Sequence, residues 1–147
     1  MEQMIFVNLP VTDLTRSMAF YEAIGAANNP QFTDASAAMM SFSSAVNVMI
    51  LTHERFASFT DRKIIDACSQ VQVLLALSRE SRAAVDTIVD AATGAGGTAD
   101  PTPRQEHGEA MYGRSFTDPD GHIWEVMWMD VDAMTAQLAA PHEPAAV

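Results

Sequence analysis

Apolar and polar positions alternate along the chain with two periods, and the switches between them outline its elements. Met4 to Val11 is a short run rich in β-formers, closed by Pro10. Asp13 then stands where a helix N-cap belongs, Leu14, Met18, Tyr21 and Ile24 recur at helical spacing, and Gly25 marks the stop. Ala37 to Phe42 and Val46 to Thr52, joined by Ser43-Ser44-Ala45, predict a hairpin. His53 to Phe59 is a short helix candidate, and Thr60 to Ser69 a polar linker.

After the linker the pattern starts again. Val71 to Ser78 predicts a strand, Ser81 an N-cap, and Val85, Ile88, Val89 and Ala92 a helical stripe that ends at Gly94, Gly96 and Gly97. Met111 to Thr117, the turn Asp118-Pro119-Asp120-Gly121 and His122 to Met129 form a second hairpin. An offset of 68 residues sets Met4 on Gln72, Phe6 on Leu74 and the cap Asp13 on the cap Ser81; further on, Ile50 is matched with Glu125. The chain therefore divides into residues 1–130, one domain of two βαβββ modules (about 4–52 and 70–130), and residues 131–147, a short helix through Leu138 with a mobile tail from Pro141.

Composition narrows the class. The chain has 147 residues, 48% of them hydrophobic, which is enough for a core without disulfides or a structural metal. Its 8 Lys+Arg against 19 Asp+Glu give a formal charge of −11, which argues against nucleic acid and anionic membranes as partners and would favour cationic ligands or simply keep the protein soluble. The single cysteine, Cys68, has no partner for a bridge or a CxxC pair, and no secretory or membrane-spanning pattern is seen, so a cytoplasmic setting is expected. Gly94-Ala95-Gly96-Gly97 follows a helix, the wrong order for a phosphate cradle.

The second hairpin carries the candidate chemistry. On the strand after the turn, Ile123, Glu125, Met127 and Met129 share one face, and His122, Trp124, Val126 and Trp128 the other. Both faces are rich in apolar residues, so Glu125 is expected to be a buried carboxylate, either a ligand or general base in a cavity or the ion-pair partner of Arg114 on the adjoining strand. His53, His107 and His122 assemble no evident metal set, and Cys68 lacks a neighbour that would activate its thiol.

Asp13-Leu14, Phe20-Tyr21 and Gly25, with Asp118-Pro119-Asp120-Gly121-His122-Ile123-Trp124-Glu125, resemble the vicinal oxygen chelate superfamily of glyoxalases, extradiol dioxygenases, fosfomycin-resistance enzymes and bleomycin-binding proteins. The resemblance spans Met4 to Asp130 and implies an α+β fold in which two βαβββ modules form a curled mixed sheet around a cavity. It also implies four metal-ligand positions, which fall here on Phe6, Ile50, Leu74 and Glu125. One carboxylate among three hydrocarbon side chains is a poor cation site, and moving each register by one residue supplies no further ligand.

The resulting expectation is a protein that binds a small organic molecule in an apolar cavity without a cofactor and without the usual divalent ion. Phe6, Asn8, Ile50, Gln72, Leu74, Tyr112, Arg114 and Met127 are the expected pocket, and Glu125 the candidate acid/base. The alternatives are a glyoxalase-, isomerase- or dioxygenase-type metalloenzyme and a metal-independent lyase or isomerase using Glu125 as base. The resemblance further implies a homodimer.

Overall fold

The computed structural model describes residues 1–141; the tail expected to be mobile lies, from residue 142 on, outside the described residues. The first module runs β1 (Ile5–Val11), α1 (Leu14–Ala23), β2 (Ala27–Asn29), β3 (Ala37–Ser41) and β4 (Val46–Thr52), with a 3-10 turn at Pro30–Phe32. A short helix, α2 (His53–Ala57), and the linker lead to the second module. It comprises β5 (Leu75–Ser78), α3 (Arg82–Gly94), β6 (Thr98–Ala99), β7 (Gln105–Glu106), β8 (Met111–Thr117) and β9 (Ile123–Met129), followed by α4 (Val131–Ala139). The fold is α+β with two mixed sheets and no closed barrel. The sheet orders are β1-β4-β3-β2 and β5-β9-β8-β6, with β7 also on β8. No helix is long and apolar enough to cross a membrane among the described residues.

Local chemistry accounts for these elements. Asp13 accepts a hydrogen bond from the Arg16 amide at 3.0 Å and opens α1, and Ser81 does the same for α3 through the Ala84 amide at 3.0 Å. Val85, Ile88, Val89 and Ala92 recur at the spacing that stacks side chains on one helix face, and all four are buried. Pro10 has no N–H to donate, and it is tolerated because β1 is the edge strand of its sheet. Each module begins with a strand that pairs in parallel with its last strand, β1 with β4 and β5 with β9. The α1 and α3 faces close over Leu9, Val11, Ala38, Met40, Val48 and Ile50 from one sheet and Phe116, Trp124 and Val126 from the other.

Between the modules lies an aromatic cluster. Phe20 and Tyr21 of α1 meet edge to face at 5.2 Å, Tyr21 meets Trp124 at 6.1 Å, and Phe116 stacks on Trp124 at 6.5 Å. Burial of each such ring contributes roughly 1.5–3 kcal/mol. The two modules therefore share a core, and the sequence pattern of two separate repeats understates how tightly they are joined.

One expectation requires correction, and one strand of the expected βαβββ order is now located. The strand expected at Val71 to Ser78 forms only from Leu75; residues 71–74 are exposed and unpaired, and Val71, Gln72 and Val73 instead border a cavity. A strand that sequence reasoning did not locate, β2, forms at Ala27–Asn29 and pairs with β3, where Asn28 Nδ2 ties back to the Met39 carbonyl at 3.2 Å. Asn-rich segments carry turn signals, and that masks a three-residue strand.

Candidate functional site

A cavity of about 450 Å³ opens where the end of β1, the start of β9 and the linker meet. That volume lies in the range of small-molecule sites. Leu9 and Pro10 form one wall, Gly121, His122 and Ile123 a second, and Arg62 to Ile65, Ala67 and Gln70 to Val73 the third, with Phe56 of α2 and Leu75 of β5 completing it. The lining is mostly hydrocarbon, with Gln70 and Gln72 as amides and Arg62, Lys63 and His122 as the basic groups.

The cavity walls are fixed by the Asp118-to-Gly121 turn, which acts as a clasp between modules. Asp118 is buried and accepts from the Tyr21 hydroxyl at 2.8 Å, the Asp120 amide at 3.0 Å and the His122 amide at 2.9 Å. Burial pushes its carboxyl above the ordinary Asp range, against the pull of His122 and of these donors. Tyr21 is raised well above a normal tyrosine, first by burial and then by the Asp118 charge. Asp120 reaches the other module, accepting from the Thr12 amide at 2.9 Å and the Thr12 hydroxyl at 2.8 Å.

His122 completes the clasp. Its Nε2 lies 2.7 Å from the Pro10 carbonyl. A carbonyl only accepts, so this nitrogen carries the proton and the ring spans the seam between β1 and β9. Gly121 sits at φ +94°, and a Cβ there would come within 2.8 Å of the Ala67 and Cys68 backbone. The linker is thus pressed directly onto the turn, an approach that only glycine allows.

The structure distributes the sequence-predicted residues differently. Of Phe6, Asn8, Ile50, Gln72, Leu74, Tyr112, Arg114, Met127 and Glu125, only Gln72 lines this cavity. Phe6, Asn8 and Leu74 are exposed, and Ile50 is fully buried in the core. The pairing register explains Ile50. Asn8 pairs with Met49 in the first module and Ala76 with Glu125 in the second, so the counterpart of Glu125 is Met49, one residue from the position expected. Met49 is no better a partner for a hard cation.

The expected Arg114–Glu125 ion pair does not form. Arg114 forks onto Asp100, at 3.1 Å through Nε and 2.7 Å through Nη2, and reaches Asp86 at 3.0 Å. Tyr112 donates to the same Asp86 at 2.7 Å. The cause is strand phase: Arg114 pairs with Val126 in the ladder, whereas Glu125 stands opposite Ser115. Tyr112 and Arg114 are therefore framework residues that join α3 to β8. Glu125 is half-buried, not sealed in a core, and borders a shallow depression with Thr102, Gln105 and Met127.

Among the described residues no three His, Cys, Asp or Glu side chains gather closely enough to hold a metal ion. Cys68 is exposed, its Sγ lies 3.3 Å from the Asp120 carbonyl, and partial burial and the Asp66 charge raise its pKa, the opposite of an activated thiol. The cavity residues Arg62, Lys63, Ile64 and Ile65 went unpredicted because they lie in a segment with no periodicity. The only sequence signal there was an apolar pair, Ile64-Ile65, set within a polar linker.

Comparison with known proteins places this geometry. The profile described as Glyoxalase/Bleomycin resistance protein/Dioxygenase superfamily matches residues 3–126. No curated protein matches the chain in sequence. Among solved structures, a hypothetical protein from S. aureus is 25% identical at a TM-score of 0.72, covering 87% of this chain and 94% of that one. A glyoxalase/bleomycin resistance protein/dioxygenase family enzyme from Burkholderia phytofirmans is 19% identical at a TM-score of 0.71, covering 88% and 100%. The fosfomycin resistance protein FosX from Mesorhizobium loti is 16% identical at 0.64, covering 95% and 99%.

Proposed function

Because the chain belongs to the Glyoxalase/Bleomycin resistance protein/Dioxygenase superfamily, we propose that it binds a small organic molecule in the inter-module cavity and does so without a divalent metal. Two observations carry the reading: an apolar space of about 450 Å³ is present, and Phe6, Ile50 or Met49, and Leu74 occupy the positions at which the family resemblance implies metal donors. Hydrocarbon side chains cannot replace the water that a divalent ion gives up, and Glu125 alone supplies too few oxygens. No metal-dependent step is therefore assigned.

A sequestering protein fits these features better than a base-catalysed isomerase. Glu125 borders the shallow depression with Met127, whereas the cavity is reached two residues earlier on the same strand face, at Ile123. A general base must come within hydrogen-bonding distance of its substrate, and no cavity wall contains a carboxylate. A second copy of the chain would cover the exposed Ile5 and Phe6 on β1 and Leu74 before β5, which supports a homodimer. The free thiol of Cys68 suits a reducing cytoplasm.

The test uses protein purified without chelator. Metal content is measured for the wild type and Glu125→Gln, and the fluorescence of the neutral apolar probe N-phenylnaphthylamine is titrated with each. The proposal expects substoichiometric metal, saturable probe binding that survives EDTA, and loss of binding when Ile123→Trp fills the cavity. Stoichiometric metal that disappears in Glu125→Gln, or no saturable binding, would overturn it.

A further inference from the structure

The cavity runs against the charge of the protein that contains it. The chain carries −11, yet the only formally charged side chains on the cavity wall are Arg62 and Lys63, and His122 is the only other titratable one. Two of the eight Lys and Arg residues thus sit side by side at this opening. Among the described residues neither forms a salt bridge, whereas Arg79, Arg104 and Arg114 all do.

The neighbouring acids are turned to other tasks. Asp66 accepts from the Cys68 amide at 3.0 Å and the Ser69 hydroxyl at 3.1 Å. Asp118 is held by Tyr21, and Asp120 by Thr12. Asp61, on the same loop, is exposed and does not line the cavity. None of these acids lines the cavity or pairs with Arg62 or Lys63, so a ligand there meets two cations without ion-pair partners and two amides among apolar side chains, while the net charge of the chain repels anions at longer range. At contact distance the local pair dominates, because screening confines the field of exposed carboxylates to about 8–10 Å at ordinary salt.

From this juxtaposition of Arg62, Lys63, Gln70 and Gln72 with Leu9, Ile65, Val71, Val73 and Ile123, we infer that the cavity takes an organic anion with an apolar body, a carboxylate, sulfonate or phosphonate whose head is held by Arg62 and Lys63 and whose hydrocarbon part packs on those apolar side chains. The inference rests on the cavity-binding reading and deepens it. Arginine suits such a head because its planar fork can give two parallel hydrogen bonds to one oxyanion.

A matched pair of probes separates this inference from the reading it rests on. Anilinonaphthalene sulfonate and N-phenylnaphthylamine share an aromatic body and differ in the sulfonate. Both are titrated with the full chain, with Arg62→Gln/Lys63→Gln and with Ile123→Trp. The anion should bind at least about tenfold more tightly than the neutral probe, an advantage that shrinks as salt rises. The double variant should remove that advantage while changing neutral-probe affinity less than about twofold, and Ile123→Trp should abolish both. Equal affinities, or an anion preference untouched by the double variant, would overturn the anion assignment and leave cavity binding standing. Binding of neither probe would overturn both. Arg62 and Lys63 are exposed, so the double variant is expected to fold.

Discussion

Tyr21 of the first module donates its hydroxyl to Asp118 of the second at 2.8 Å, and the same oxygen accepts from Trp124 Nε1 at 3.1 Å. Both Tyr21 and Asp118 are buried, so each leaves water only because the other is present. Tyr21→Phe strips a donor from Asp118 and the acceptor from Trp124 in one step. The expected cost is about 2–4 kcal/mol, the sum of two buried polar groups left unsatisfied, read as a lower urea midpoint by tryptophan fluorescence. A loss under about 0.5 kcal/mol would show that the clasp does not join the modules.

Much of this architecture is legible in the sequence. Caps at Asp13 and Ser81, the stripe Val85, Ile88, Val89 and Ala92 and the Asp118-to-Gly121 turn are local signals, and each is found where expected. The site was not legible in the same way. Strand phase correctly separated the Trp124 face from the Glu125 face, but it could not show that Arg114 would find Asp86 and Asp100 instead of Glu125. Those partners lie on α3 and in the loop after β6, and their convergence is a tertiary fact. The cavity wall came from the linker, where no period exists to read.

Gly121→Ala tests how the linker is seated. The substitution adds a Cβ at a positive φ and drives it to 2.8 Å from the Ala67 and Cys68 backbone. Strain at such a φ costs about 1–2 kcal/mol, and the contact adds to it by displacing the linker. Lower thermal stability and weaker N-phenylnaphthylamine binding are expected together, since Ala67 and Gly121 are both cavity walls. Wild-type behaviour in both measurements would mean that linker and turn are not in contact.

Acid should loosen the second module through the Arg114 cluster. Arg114 holds the Asp100 carboxyl below its ordinary pKa, and for Asp86 the larger pull comes from the Tyr112 hydroxyl, with Arg114 next. A carboxylate whose pKa is lowered by folding contributes stability above its unfolded value of about 3.9 and loses it as pH falls through the folded value. Asp118 has the opposite sign. Its pKa is raised by burial, so its contribution is fullest below the unfolded value and declines as pH rises through the folded one. Arg114→Leu should therefore lower stability near neutrality by about 1–3 kcal/mol and flatten the fall as pH drops below the unfolded value of about 3.9. Urea midpoints measured across that range check both parts, and an unchanged slope would exclude the cluster as the acid-sensitive element.

Glu125 offers the sharpest contrast between a retained ligand and a relic position. Among the described residues it has neither a salt bridge nor a side-chain hydrogen bond, and its half-buried place opposite Ser115 lets water reach it. A carboxylate so placed gains little from its charge and still bears some cost of lying among Met127 and Ile123. Glu125→Leu should thus change stability by less than about 1 kcal/mol, in either direction, because β9 accepts branched apolar residues on that face. The same variant should bind N-phenylnaphthylamine as the wild type does. A loss of more than about 2 kcal/mol that EDTA reproduces in the wild type would mean that the carboxylate works with a bound cation, since only a bound ligand makes its removal so costly.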